Sequence, residues 1–107
     1  MPIENQTNDA ILSSSVRLPN QVVYRTFVKE TVVLNLDTGR YHGLNPTAGR
    51  MLEVLERSGT AAEAARYLAE EYGRDASEIE EDLCDLCRNL LERGLVTLEP
   101  ARDRADA

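Results

Sequence analysis

The sequence predicts an α+β fold in which a three-stranded antiparallel sheet is followed by three helices. Two runs of β-branched and aliphatic residues flank Asp37-Thr38-Gly39, which is a hairpin signal because glycine adopts positive φ without steric cost. Asn45-Pro46-Thr47 ends the second run, since proline lacks the N–H that strand pairing needs. A small hairpin that leads directly into helices can leave one sheet edge open, where another chain can pair.

The predicted strands lie between residues 21 and 45. Strand-forming residues fill 21–28, and Lys29-Glu30 is a plausible two-residue turn. The second strand is predicted at about 31–37 and the third at about 40–45. Short turns between consecutive strands predict an antiparallel meander.

Capping residues mark the first two helices. Thr47 is the predicted N-cap of the first helix, which ends at Gly59. Thr60 begins the second helix with Glu63 three residues later as a capping box, and Gly73 ends it.

The third helix is predicted from Ser77 to Gly94, before a short extended segment at 95–98. Its apolar arc is roughly 160° wide, beyond the ~100° stripe of a core-facing helix. Beside an open strand edge, the surplus width suggests a groove. Alternatively, the surplus packs on the first helix or on the C-terminal segment. The polar flank of the arc carries Asp82, Asp85 and Asn89.

Three helices and an extended tail also describe a winged helix-turn-helix-like fold, an architecture that often reads DNA. The third helix is strongly acidic and would repel phosphates, and the net charge of the chain is −7. We therefore expect the fold without a nucleic-acid partner.

Length and composition predict one domain with terminal segments. We divide the 107 residues into a flexible segment at 1–20, a domain at 21–98 and a tail at 99–107. No apolar run approaches the ~18 residues of a membrane span, and the first residues do not resemble a secretory signal. We expect a cytoplasmic protein with no membrane partner.

The sequence gives little support for a catalytic site or a metal-binding site. Cys84 and Cys87 form a CxxC pair, but a tetrahedral zinc site needs four ligands and the only histidine is His42. Cys84 lies two turns inside a helix, whereas reactive cysteines sit at helix N-termini, so the pair reads as two small apolar residues. His42 has no nucleophile beside it in sequence. We expect no enzyme, no metal and no cofactor, and favour a binding role.

An ordered set of motifs runs along the chain: Leu34-x-Leu36-Asp37-x-Gly39-Arg40-Tyr41-x-Gly43-Leu44-Asn45, then a helix containing Ala48, then Asp82-Leu83, Leu86, Leu90 and Arg93-Gly94-Leu95-Val96. This set resembles the PqqD-like proteins, which recognise the leader peptides of ribosomally made, post-translationally modified peptides. The resemblance covers about residues 20–98 and is strongest toward the stand-alone recognition proteins of lasso-peptide biosynthesis. The Pro-Glu pair typical of the quinone-biosynthesis branch is missing at 35–37.

The resemblance implies that a precursor's leader adds as a fourth strand beside the third strand, in a groove walled by the third helix. It implies a Tyr-x-x-Pro motif in the leader and a separate cysteine-protease-like peptidase, with the cyclase as a further candidate partner. Basic leader residues would meet the two aspartates. Alternatives are a PqqD-type peptide chaperone for a radical-SAM or other maturation enzyme, and a homodimerising adaptor. The candidate leader-binding residues are Tyr41, His42, Gly43, Leu44, Asp82, Leu83, Asp85, Leu86 and Asn89.

Overall fold

The computed structural model describes residues 7–101. The predicted α+β class is confirmed: β2 (Val22–Thr26), β3 (Thr31–Asn35) and β4 (Tyr41–Leu44) form an antiparallel meander, while β1 (Ser15–Arg17) and β5 (Thr97–Glu99) form a separate two-stranded sheet. The likeness to a winged helix-turn-helix is loose. No helix in residues 7–101 combines the length and apolarity of a membrane span. The elements are α1 (Asn8–Leu12), β1 (Ser15–Arg17), β2 (Val22–Thr26), β3 (Thr31–Asn35), β4 (Tyr41–Leu44), α2 (Pro46–Arg57), α3 (Ala61–Tyr72), α4 (Ala76–Glu92) and β5 (Thr97–Glu99).

The β2–β3 hairpin closes one residue earlier than predicted. The N–H of Phe27 donates to the carbonyl of Glu30 across the loop at 2.7 Å, so Val28 and Lys29 form the tip. The predicted turn at Lys29-Glu30 is therefore wrong. Strand propensity misplaces the turn because the run of strand-forming residues continues into it.

The β3–β4 hairpin confirms the turn predicted around Gly39. The side chain of Asn35 accepts hydrogen bonds from the N–H groups of Asp37 at 2.9 Å and Thr38 at 3.3 Å. Gly39 closes the turn by donating to the carbonyl of Asn35 at 2.8 Å, with φ of 75°. This left-handed conformation strongly favours glycine.

α2 begins two residues earlier than predicted. Its N-cap is Asn45, whose Oδ1 accepts from the N–H of Ala48 at 2.8 Å, and not Thr47. Pro46 occupies the first turn, where a missing N–H costs nothing and the fixed φ suits a helix. The proline that ends the strand therefore also begins the helix.

The other helix ends depend on local chemistry and mostly follow the prediction. Thr60 caps α3 by accepting a backbone hydrogen bond at 3.1 Å, and Gly73 ends it with φ of 64°. Gly94, with φ of 70°, follows the end of α4. The predicted N-cap at Ser77 is wrong, because α4 already begins after Asp75.

The expectation of a flexible segment at 1–20 is wrong for residues 8–17. Ile11 of α1 and Val16 of β1 are 0% and 1% exposed, and Val16 pairs with Leu98 of β5. Elements of five and three residues are too short to show a hydrophobic period. Residues 1–6, and the part of the predicted tail at 102–107, lie outside the described residues.

One hydrophobic core lies between the inner face of the β2–β4 sheet and the helices. α1 covers one side of α4, where the Sγ of Cys84 lies 3.9 Å from the carbonyl oxygen of Asn8. The surplus apolar width on this side of α4 therefore packs against a helix that the sequence did not predict. The largest fully buried side chains are Ile11, Leu52, Leu55, Leu68, Ile79, Leu83, Leu90, Leu95, Val16, Val33, Thr31 and Cys84.

Two contacts fix the sheet on the helical layer. A Cβ added at Gly49 of α2 would lie 2.7 Å from the Cβ of buried Thr31 on β3, so the approach requires glycine. The hydroxyl of Tyr24 on β2 donates to the carboxylate of Glu56 on α2 at 2.7 Å. With the sheet held in this way, β4 is the edge strand nearest the C-terminal part of α4.

Candidate functional site

β4 has one side without a strand partner among residues 7–101. The N–H of Asn35 donates to the carbonyl of Arg40 at 2.9 Å, so this pair and every second pair after it are the hydrogen-bonded pairs of the ladder. The backbone groups of His42 and Leu44 therefore face β3, whereas those of Tyr41 and Gly43 face outward. The open edge presents two N–H donors and two carbonyl acceptors to an added strand.

A cleft of about 320 Å³ separates this edge from α4. Side chains alternate across a strand, so a strand paired with β4 would direct every second side chain toward the cleft. The strand wall is Tyr41, His42, Gly43 and Leu44, and the helix wall is Asn89, Leu90 and Arg93.

His42 and Arg93 join the two walls, with 3.1 Å between Nδ1 and Nη1. A guanidinium only donates, so Nδ1 of His42 is the acceptor in this contact. Arg93 also donates from Nε to the side chain of Asn89 at 3.0 Å, which orients both side chains. A second cleft of about 530 Å³ shares His42 and Arg93 and extends toward the β3–β4 turn. The His42–Arg93 contact thus divides one longer groove.

The structure brings five of the nine sequence-predicted site residues together in the 320 Å³ cleft. The other four lie on α4 outside its lining: Leu83 is fully buried in the core and Leu86 is half-buried against it. The residues in the cleft are Tyr41, His42, Gly43, Leu44 and Asn89.

The two predicted aspartates differ in their surroundings. Asp82 lies 3.4 Å from Arg74, and helical geometry places it on the strip that continues to Asn89 seven residues later. Asp85 lies 3.5 Å from Arg88 with 73% of its side chain exposed. Asp82 therefore lies on the helix strip that leads to the cleft residue Asn89, whereas Asp85 is the more exposed of the two.

Sequence reasoning missed two cleft residues. Leu90 is a buried side chain on the apolar arc of α4, and it also lines the cleft. Arg93 lies four residues after Asn89, so helical spacing alone could have placed it on the same face.

Burial disfavours the thiolate form of both cysteines. Both side chains are buried and free. Burial raises the pKa of Cys84 above its ordinary value and that of Cys87 to about 12. The thiolate is the nucleophile and the metal ligand, so burial suppresses both roles. Within residues 7–101, no group of three or more His, Cys, Asp or Glu side chains can hold a metal ion.

Another cleft, of about 390 Å³, lies between α2 and α3. Arg50 in this cleft pairs with Glu71 at 2.6 Å and with Glu53 at 2.5 Å, and lies 5.8 Å from the ring centre of Tyr67. Its guanidinium holds the pKa of Glu53 and of Glu71 below the ordinary value. These contacts link α2 to α3, so the charged residues of this cleft stabilise the packing of the two helices.

Comparison with known proteins gives a family match. The family described as coenzyme PQQ synthesis protein D (PqqD) matches residues 30–96. A lasso peptide synthetase B1, complexed with the leader peptide, is 26% identical with a TM-score of 0.69, and the match covers 78% of this chain and 98% of that one. TbiB1, in complex with the TbiA(beta) leader peptide, is 32% identical with a TM-score of 0.68, over 81% and 99% of the two chains.

A third solved structure shares the fold. It is the PqqD truncation of Methylobacterium extorquens PqqCD, a stand-alone recognition element for ribosomally synthesised and post-translationally modified peptides. It is 22% identical with a TM-score of 0.71, and the match covers 91% of this chain and 99% of that one. No curated protein matches the sequence significantly.

Proposed function

The chain belongs to the PqqD family, and we propose that it binds the leader peptide of a ribosomally synthesised precursor by strand addition to β4, without catalysis of its own. The observation that carries this proposal is the open edge at Tyr41 and Gly43 beside the cleft facing α4. Two relatives with TM-scores of 0.69 and 0.68 were solved with leader peptides bound, which supports the same role here.

The energetics favour recognition by both backbone and side chains. Four main-chain hydrogen bonds would contribute about 1 kcal/mol each, and apolar burial in the cleft would add a few kcal/mol. The cost of ordering a flexible leader offsets part of this gain. Every peptide offers the same backbone, so the cleft must provide the selectivity.

We assign the leader site to β4 and to the strip of α4 that faces it. Leu44 and Leu90 give the cleft apolar walls suited to the Tyr and Pro of a Tyr-x-x-Pro leader. Asp82 lies on the helix strip that leads to the cleft and suits a basic leader residue, and we keep Asp85 as a more peripheral contact. The proposed set is Tyr41, His42, Gly43, Leu44, Asp82, Asp85, Leu86 and Asn89, with Leu90 and Arg93 added. Leu83 is fully buried and supports the site only from the core.

The partners we propose are those of lasso-peptide maturation. The bound precursor would be delivered to a cysteine-protease-like leader peptidase, and the cyclase would act on the same precursor. The lasso peptide synthetase B1 at 26% identity supports this branch, as does the missing Pro-Glu pair at 35–37. Since the precursor is made by ribosomes, we place this binding step in the cytoplasm.

Titration of the ¹⁵N-labelled protein tests the proposal. Its ligands are peptides selected from a display library of the leader segments of lasso-peptide precursors. The amides of Tyr41 and Gly43 should shift and become protected from hydrogen exchange, whereas those of His42 and Leu44, already bonded to β3, should change less. Selection of no leader would contradict the proposal. Dimerisation through β4 without peptide, seen by sedimentation, would favour the homodimerising adaptor instead.

A further inference from the structure

We propose that Glu30 selects a basic side chain on the outward face of the bound leader, an inference that rests on the strand addition to β4 proposed above. Residues on β3 alternate between buried Thr31 and Val33 and the outward-facing Val32. Glu30, one residue before Thr31, therefore projects on the outer face of the sheet, opposite to the face that borders the cleft.

The Glu30 carboxylate reaches over the edge strand at Gly43. A Cβ added at Gly43 would lie 2.9 Å from Oε1 of Glu30, so the carboxylate fills the space that any other residue's side chain would need. Gly43 lies between His42 and Leu44, which face inward, so this space is on the outer face. Because Gly43 has no side chain, the carboxylate of Glu30 can lie at the centre of the open edge.

The Glu30 carboxylate is exposed and available to a ligand. Within residues 7–101 its side chain makes no ion pair or hydrogen bond, unlike the carboxylates of Glu53, Glu71 and Glu78, which each pair with an arginine. A charge with no protein partner at the proposed binding edge can discriminate among the charges of the ligand.

The distances fit a lysine or arginine on the leader. The residue paired with Gly43 would direct its side chain to the outer face, with its Cβ about 4.5–5.5 Å from the Cβ position of Gly43. Oε1 of Glu30 lies 2.9 Å from that same position. The long side chain of a basic residue spans the remaining distance, whereas a leader glutamate would be repelled. The cleft then contacts the inward-facing side chains of the leader, and Glu30 contacts one outward-facing side chain.

Peptide scanning with paired variants tests this inference. The leader selected by the wild-type protein from the library above is resynthesised with Lys, Glu or Ala at each position, and affinities are measured by fluorescence anisotropy at low salt. At one position, Lys should bind about ten-fold tighter than Glu to the wild type. This preference should fall below about two-fold in Glu30→Gln and persist in Glu81→Gln, which removes the same charge from an exposed position on α4.

A second variant displaces the Glu30 carboxylate by steric exclusion instead of removing its charge. Gly43→Ala keeps the N–H that pairs with the leader, but its methyl group takes the place of the Glu30 carboxylate. The ratio of Lys-peptide to Glu-peptide affinity should fall below about two-fold in this variant, whatever the change in its total affinity for the leader.

The outcomes separate this inference from the proposed function. A Lys preference that survives Glu30→Gln, or is absent from the wild type although leaders bind, overturns the role of Glu30 alone. If the wild-type protein binds no leader in the library, both proposals fail.

Discussion

Replacement of Gly43 by proline tests which backbone groups receive the leader. The N–H of Gly43 points away from β3, so Gly43→Pro removes no hydrogen bond of the β3–β4 ladder. It does remove one of the four main-chain bonds proposed for the leader, worth about 1 kcal/mol, and leaves a leader carbonyl unpaired at a further cost of about 1–3 kcal/mol. The expected loss of about 2–4 kcal/mol corresponds to roughly 30- to 900-fold weaker binding.

Two controls isolate the missing N–H. Gly43→Ala meets the Glu30 carboxylate in the same way but retains the donor, so its loss should be much smaller. Thr26→Pro removes an N–H that also points away from β3, but at the opposite edge of the sheet, and should change affinity by less than about two-fold.

The assay is fluorescence anisotropy with the selected leader, and circular-dichroism melts verify that each variant is folded. A folded Gly43→Pro variant that binds within about three-fold of wild type would refute the assignment of the β4 edge. A loss on Thr26→Pro instead would move the binding edge to β2.

Charge on α4 should matter where it faces the groove: Asp82→Lys should weaken leader binding by about 1 kcal/mol or more at low salt, and Asp85→Lys by less. Equal losses in the same anisotropy assay would mean that only net charge matters. Gly49→Ala should destabilise the protein by about 1–3 kcal/mol in urea titrations despite alanine's higher helix propensity, because its Cβ would overlap the side chain of Thr31; a gain in stability would contradict that close approach. Burial, which raises the pKa of Cys87 to about 12, should leave both cysteines unmodified by iodoacetamide at pH 8 until urea unfolds the chain. Rapid modification of the native protein, detected by mass spectrometry, would contradict the burial of the two cysteine side chains.

For the candidate site, the sequence identified the strand wall better than the helix wall. The turn at Gly39 and the stop at Pro46 bound the last strand of the meander, so the contribution of Tyr41 to Leu44 could be predicted. On α4 the apolar arc was too wide to show which flank faces the sheet. The unpredicted α1 occupies one flank, beside Cys84, and thereby leaves the Asn89 and Arg93 flank to the groove.

By itself, the sequence determined the α+β class, the strand meander and the limits of α3. These features follow from local chemistry: Gly39 and Gly73 adopt positive φ, and Thr60 satisfies a free N–H at a helix start. Such preferences act within a few residues, so they can be read along the chain without knowledge of the fold.

Only the tertiary structure decided the β1–β5 pairing, the His42–Arg93 contact and the reach of Glu30 over Gly43. The partners in the first two are far apart in sequence, and the third depends on how the side chain of Glu30 lies across β4. Each contact forms because the core holds the sheet and the helices in one relative orientation. That orientation is set by the packing of many side chains together, which no local pattern in the sequence encodes.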